Sequence, residues 1–134
     1  MVVMIVKNMP LKKTLGFTLI ELLVVLAIIS MLLTLAVPRF FSSVDTAKET
    51  ILVENLRLTR ETLDKFYADV GRYPDSLDEL VQSQYLKDLP NDPMLDSRTS
   101  WVIVPPKEGI KGKVFDLRSA APGKNRLGVS FDQL

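Results

Sequence analysis

Residues Phe17 to Val37 are apolar apart from Thr18, Glu21, Ser30 and Thr34. Built as a helix at 1.5 Å per residue, that run spans roughly 31 Å, matching a bilayer core of about 30 Å. Directly after Pro38, the segment from Arg39 to Val70 holds neither Gly nor Pro. Its apolar residues recur at helical spacing: Val44, Ala47, Ile51, Leu52, Leu56, Leu63, Phe66, Tyr67 and Val70. Lys48, Glu49, Glu54, Arg57, Arg60, Glu61 and Asp64 fill the other faces, so the segment reads as an amphipathic helix. One face is expected to cover the chain's own small sheet. Gly71 is a natural stop. Together the segments predict one helix over 17–70, with a kink at Pro38, where a backbone bond is lost and the ring crowds the preceding turn.

Lys7, Lys12 and Lys13 precede the apolar run, and no acid occurs before Glu21. This asymmetry keeps the N-terminus cytoplasmic and sends the rest outward. An ordinary secretory signal peptide would have similar parts. However, no clear small-x-small site follows the run, Thr34-Leu35-Ala36 coming nearest, and a Glu within the apolar stretch is foreign to a plain signal.

Beyond Gly71 the texture changes: six of the eight prolines and four of the six glycines lie there. Ser76-Leu77-Asp78-Glu79 fits a capping box, with Glu79 reaching back to the Ser76 amide, and opens a short helix ending near Gln84. Asp75 and Asp78 then belong to a helix N-terminus rather than to acid–base chemistry. Trp101–Val104 and Lys113–Leu117 read as an antiparallel strand pair, with a weaker third strand near Val129–Phe131. Trp101 is expected in the core, and Lys107, Lys111 and Lys113 in a solvated loop. The fold class is α+β: a long N-terminal helix, a short helix and a small antiparallel sheet.

Composition removes several function classes. There is no Cys and no His, which excludes disulfides, Cys/His zinc sites and His-dependent triads. A formal charge of +1 lacks the basic excess of a nucleic-acid binder. Gly109 to Lys113 lacks the spacing of a phosphate loop. The sequence offers no catalytic constellation, and the chain reads as a non-enzyme.

Glu21 needs a physical account. A carboxylate in an apolar membrane helix costs roughly 2.5–3.5 kcal/mol at the helix centre and less near an end, so it is kept only with a partner. A cut between Gly16 and Phe17 would create an α-amino group four residues before Glu21, one helical turn away and of opposite charge. A neighbouring subunit's amine would serve as well. In a low-dielectric stack of helices such pairing fixes axial register, because an offset leaves both charges unpaired. Glu21 is therefore an assembly residue.

Lys12-Lys13-Thr14-Leu15-Gly16, followed by Phe17-Thr18-Leu19-Ile20-Glu21 and the apolar stretch to Ile29, resembles the class III signal of type IV pilins and type II secretion pseudopilins. Met9 to Gly16 alone has the make-up of a short basic leader. Gly71-Arg72-Tyr73-Pro74-Asp75-Ser76-Leu77, Tyr85 to Pro93 and Val114 to Ser119 resemble the major pseudopilin of type II secretion. The resemblance implies cleavage after Gly16 by a prepilin peptidase and N-methylation of Phe17. It also implies a single-pass inner-membrane anchor held in lipid, and later extraction into a periplasmic filament of identical subunits. Minor pseudopilins and an inner-membrane assembly platform are the further partners; no nucleic acid is implied. The layout is a leader over 1–16, a transmembrane or filament-core helix over 17–38, an amphipathic helix over 39–71 and a small periplasmic head over 72–134. Pro38 stands where the family commonly has a proline, at which the helix often unwinds on assembly.

Major pseudopilins commonly hold calcium in the C-terminal loop through Asp side chains. Here the loop reads Ser119-Ala120-Ala121-Pro122-Gly123-Lys124-Asn125-Arg126, with Pro122 in place of the expected acid and two added cations. Asp116 and Asp132 alone are left nearby, which disfavours a cation needing six to eight oxygens. Two other tasks stay open beside secretion: a surface type IV pilin for adhesion, motility or DNA uptake, and a membrane-anchored binding domain that never polymerises.

Overall fold

The computed structural model describes residues 1–4 and 15–134. Lys7, Lys12 and Lys13, and with them most of the 1–16 leader, lie outside the described residues. The chain divides into two compact units, Met1–Arg39 and Phe40–Leu134.

Helix α1 runs Leu19–Val70 and contains Pro38. It begins two residues later than the apolar run because Thr18 caps it. Its N-terminal part is the described segment long and apolar enough to cross a membrane, and none of that window is buried. The large apolar side chains from Leu19 to Val37 are 45% to 80% exposed. Such a surface needs lipid or other helices around it, since soluble monomers rarely expose apolar patches of this extent.

In the second unit, Leu52, Leu56, Thr59, Leu63 and Phe66 form the buried stripe of α1. They pack with Leu77, Leu80, Trp101, Val114, Leu117, Ala121 and Phe131 into one core. Ile51, Tyr67 and Val70, placed in the same apolar pattern, stay exposed. Ile51 sits about 100° around the helix from Leu52, too far to share its stripe. The helix ends at Gly71, whose φ of +78° and amide bond to the Tyr67 carbonyl (2.8 Å) make a left-handed cap.

Helix α2 spans Leu77–Gln82. Ser76 Oγ accepts from the Glu79 amide, as its sequence requires. Glu79, however, reaches past Ser76: its Oε2 accepts from the Asp75 amide at 2.7 Å. The helix stops before the anticipated Gln84 because Gln84 itself turns left-handed, with φ of +62°. Its amide bonds the Val81 carbonyl and the Tyr85 amide bonds Leu80, the pattern of a Schellman motif with Gln in the glycine place.

Strands β1 (Val102–Val104) and β2 (Asp116–Arg118) pair antiparallel, with Ile103 opposite Leu117. This is an α+β, pilin-like layout. Strand β2 starts later than the expected Lys113 because the Lys113 and Val114 amides both donate to the Pro74 carbonyl. Trp101 lies just before β1, buried, its indole N–H donating to the Pro90 carbonyl at 2.9 Å. In place of a third strand there is an isolated bridge, Lys124 with Ser130, and then a 3-10 turn over Phe131–Gln133. The turn forms because Phe131 drops into the core, where a strand would have carried it along the surface.

Candidate functional site

The start of α1 is a closed hydrogen-bonded unit. The Thr18 amide donates to Glu21 Oε2 at 2.7 Å, and the Thr18 hydroxyl donates to the same oxygen at 3.0 Å. The Glu21 amide donates back to Thr18 Oγ1 at 3.2 Å. This is a capping box in which each residue satisfies a donor that the helix leaves open. The Thr18 carbonyl accepts the first helical bond, from Leu22 at 3.2 Å. The carboxylate also lies in the first turn, where the helix dipole favours negative charge.

The other polar interruptions are treated alike. Ser30 Oγ donates to the Leu26 carbonyl (2.8 Å) and Thr34 Oγ1 to the Ser30 carbonyl (2.9 Å). All four polar side chains of the apolar run therefore find partners within their own helix, as a low-dielectric surrounding demands.

Gly16 and Phe17 lie immediately outside the helix, both exposed, Phe17 at 95%. A Cβ at Gly16 would meet nothing within 4 Å. The Gly16–Phe17 peptide thus precedes the capped helix as exposed chain outside regular secondary structure, where a peptidase could reach it. Thr18 is a functional residue beyond those the motif points to, and Thr-x-x-Glu ahead of an apolar run is its readable capping signal.

Comparison with known proteins bears on this same segment. The prokaryotic N-terminal methylation motif matches residues 11–37. The type II secretion system core protein G of Escherichia coli K12 is 31% identical over 133 residues, which cover 87% of each chain. The chain belongs to the core protein G family of type II secretion. The core protein G of Pseudomonas aeruginosa is 35% identical over 94 residues, 58% of this chain and 66% of that protein. The competence protein ComGC of Halalkalibacterium halodurans is 31% identical over 91 residues, 66% of this chain and 89% of its own. No solved structure matches the chain. Membership in the core protein G family agrees with a membrane anchor at the N-terminus and a pilus-like assembly.

The calcium set associated with major pseudopilins does not fit these residues. Asp116 Oδ1 is taken by Arg60 Nε and the Leu117 amide, each at 2.7 Å. Ser119 Oγ donates to Asp92 Oδ2 at 2.5 Å, both residues being fully buried. Pro122 brings no oxygen ligand from its side chain, and Lys124 and Arg126 are exposed cations on the same loop. Among the described residues no three His, Cys, Asp or Glu cluster as metal ligands.

Arg60 emerges as the organiser of the head. Besides Asp116, its Nη2 donates to the Leu117 carbonyl (3.2 Å) and the Leu134 carbonyl (2.7 Å). One guanidinium thus ties α1, β2 and the end of the chain. In sequence it was one more charge on an amphipathic helix.

Proposed function

We propose that this chain is a structural subunit of a periplasmic pseudopilus that drives type II protein secretion. The observation that carries this reading is the capped, charge-bearing start of an uncovered apolar helix in a member of the core protein G family. Cleavage after Gly16 frees the Phe17 amine, which the same peptidase methylates. The Thr18–Glu21 box persists after that cut, since the Thr18 amide belongs to the mature chain. It holds the carboxylate in place until an incoming subunit's amine pairs with it.

In this reading the leader stays cytoplasmic and the apolar helix anchors the subunit in the inner membrane. On assembly the helix moves into the filament core, around a register fixed by Glu21, with Pro38 absorbing the change. The heads lie outside. Removing residues 1–16 takes away Lys7, Lys12 and Lys13 and no acid, leaving 14 bases against 16 acids in the mature subunit. The work of growth comes from partners: an assembly platform, minor pseudopilins and an energy-supplying motor.

The mature membrane form is the test. Its intact mass should begin at Phe17 and carry one added methyl group, and deletion of the protein should block secretion while leaving motility intact. A mature chain starting elsewhere would remove the reading. The likeness to a competence protein favours one second reading, a filament of the same build serving another task. Loss of transformation, with secretion intact, would select it.

A further inference from the structure

The C-terminal loop of the head, from Ser119 to Ser130, is fastened at three points by side-chain hydrogen bonds. Its first anchor is the buried Ser119–Asp92 hydrogen bond, with Ser119 Oγ also accepting from the Ala121 amide at 3.1 Å. Asp92 is itself fixed: its Oδ1 accepts from the Met94 amide, and its backbone pairs both ways with Ser97. The Asp92 segment is in turn tied to α1, where Asn55 Nδ2 donates to the Asn91 carbonyl at 2.8 Å. The second anchor is Asn125, whose Oδ1 accepts from the Leu127 and Val129 amides at 3.0 and 2.9 Å. Its own amide donates to the Val129 carbonyl, so one side chain closes the turn at the loop tip. The third is Glu49 on α1, whose carboxylate accepts from the Arg126 amide at 3.2 Å and stands 3.8 Å from Arg126 Nε.

We propose that this three-point clasp of Asp92–Ser119, Asn125 and Glu49–Arg126 replaces a divalent cation as the lock of the loop, so that the head reaches full stability without calcium. Several of the oxygens that a calcium ion would need are engaged. The two exposed cations lie where a divalent ion would be repelled, and one of them, Arg126, is part of the lock. A bound cation would have to break the Ser119–Asp92 bond or displace Arg126 from Glu49. The clasp concerns the head only and holds whichever filament the chain builds.

Thermal unfolding of the full chain in detergent micelles tests this. The fluorescence of Trp101, the chain's one tryptophan, reports on the Pro90–Ser97 segment that the clasp holds. The transition should fall at the same temperature in excess EDTA and in excess calcium. Asn125→Ala and Ser119→Ala should each lower it by about 4–8 °C, the shift that a lost interaction brings to a head of this size. A fall in chelator that calcium restores would overturn the proposal, as would wild-type stability in both variants. The chelator comparison on the unaltered chain decides the question even if a variant does not accumulate. In the converse direction, Pro122→Asp combined with Lys124→Asp should create a calcium-dependent shift absent from the parent.

Discussion

Thr18 and Glu21 cap each other: the Thr18 amide reaches Glu21 Oε2 at 2.7 Å while the Glu21 amide reaches Thr18 Oγ1 at 3.2 Å. The carboxylate is thus partnered within its own chain. Under the proposed assembly this separates two roles that a charge in an apolar helix would otherwise merge, sheltering within the monomer and pairing between monomers. Glu21→Ala should abolish filament formation while the processed subunit persists in the membrane. Thr18→Val keeps the charge but removes the cap, worth about 0.5–2 kcal/mol, and should reduce filament yield without abolishing it. Shear fractionation of cells expressing each variant reads both. Full filament yield from Glu21→Ala would sink the register argument.

Gly112 passes against the backbone of Tyr73. A Cβ there would stand 2.2 Å from the Tyr73 carbonyl oxygen, and φ is +108°. The contact exists because the Tyr73 amide takes the Lys111 carbonyl, while Lys113 and Val114 take that of Pro74. Gly112→Ala must therefore break the strap that feeds β2, and should cost about 2–5 kcal/mol by combined strain and overpacking. Gly109, with φ of +89° but open space around its Cβ position, supplies the control. Gly109→Ala should cost only about 1 kcal/mol. Equal losses in thermal unfolding would show that the close approach is not what matters.

Gln84 occupies a left-handed position at the end of α2, with φ of +62°. The Schellman bonds hold it there at a conformational cost that glycine does not bear. Gln84→Gly should raise head stability by about 0.5–1 kcal/mol, read as an increase in melting temperature. The Gln84 side chain is exposed, so little packing is lost.

Arg72 bonds both oxygens of Glu79, at 3.2 and 2.5 Å, and holds its carboxyl below the ordinary value of 4.5. The Asp75 amide adds to the effect, against some desolvation. A carboxyl depressed in the folded state contributes stability above its unfolded value, and the contribution is lost as pH falls through the folded value. Head stability should therefore decline as pH drops below 4.5. Glu79→Gln should lower stability at neutral pH and flatten that decline. Asp88, held low by Arg98, and Glu54, held low by Arg57, are shifted the same way. Both are exposed and screened by solvent, so they should contribute little to the slope.

Much of this was legible in the sequence because the governing signals are local. A long apolar run, a Gly at a helix end and Ser-x-x-Glu each act within a few residues, and each produced its element. The failures have the opposite cause. Strand β2 lost its first residues to the Pro74 carbonyl, some forty positions away, and Phe131 left its strand pattern for a core pocket. Arg60 and Asp92 look unremarkable in sequence because their partners, Asp116 and Ser119, are distant along the chain. Motif and charge alone point to Gly16, Phe17 and Glu21 as the proposed cleavage and assembly residues. Thr18 is equally legible as a capping residue, because its partner Glu21 lies only three residues on.

The head-proximal half of α1 carries two apolar faces with different duties. Leu56 is 1% exposed and meets the core, whereas Ile51 and Leu58, seven residues apart and so on one face, are 49% and 46% exposed. If the second face is covered only in the filament, the two sets separate by assay. Leu56→Ala should cost about 2–5 kcal/mol of head stability, as a cavity in a packed core does. Ile51→Ser with Leu58→Ser should leave the unfolding free energy of the detergent-solubilised subunit within about 0.5 kcal/mol of the parent, as surface changes do. The same pair should lower filament yield sharply, because each serine puts a polar group where a neighbouring helix would pack. A double variant that assembles normally would confine the inter-subunit contacts of the helix to the apolar run before Pro38.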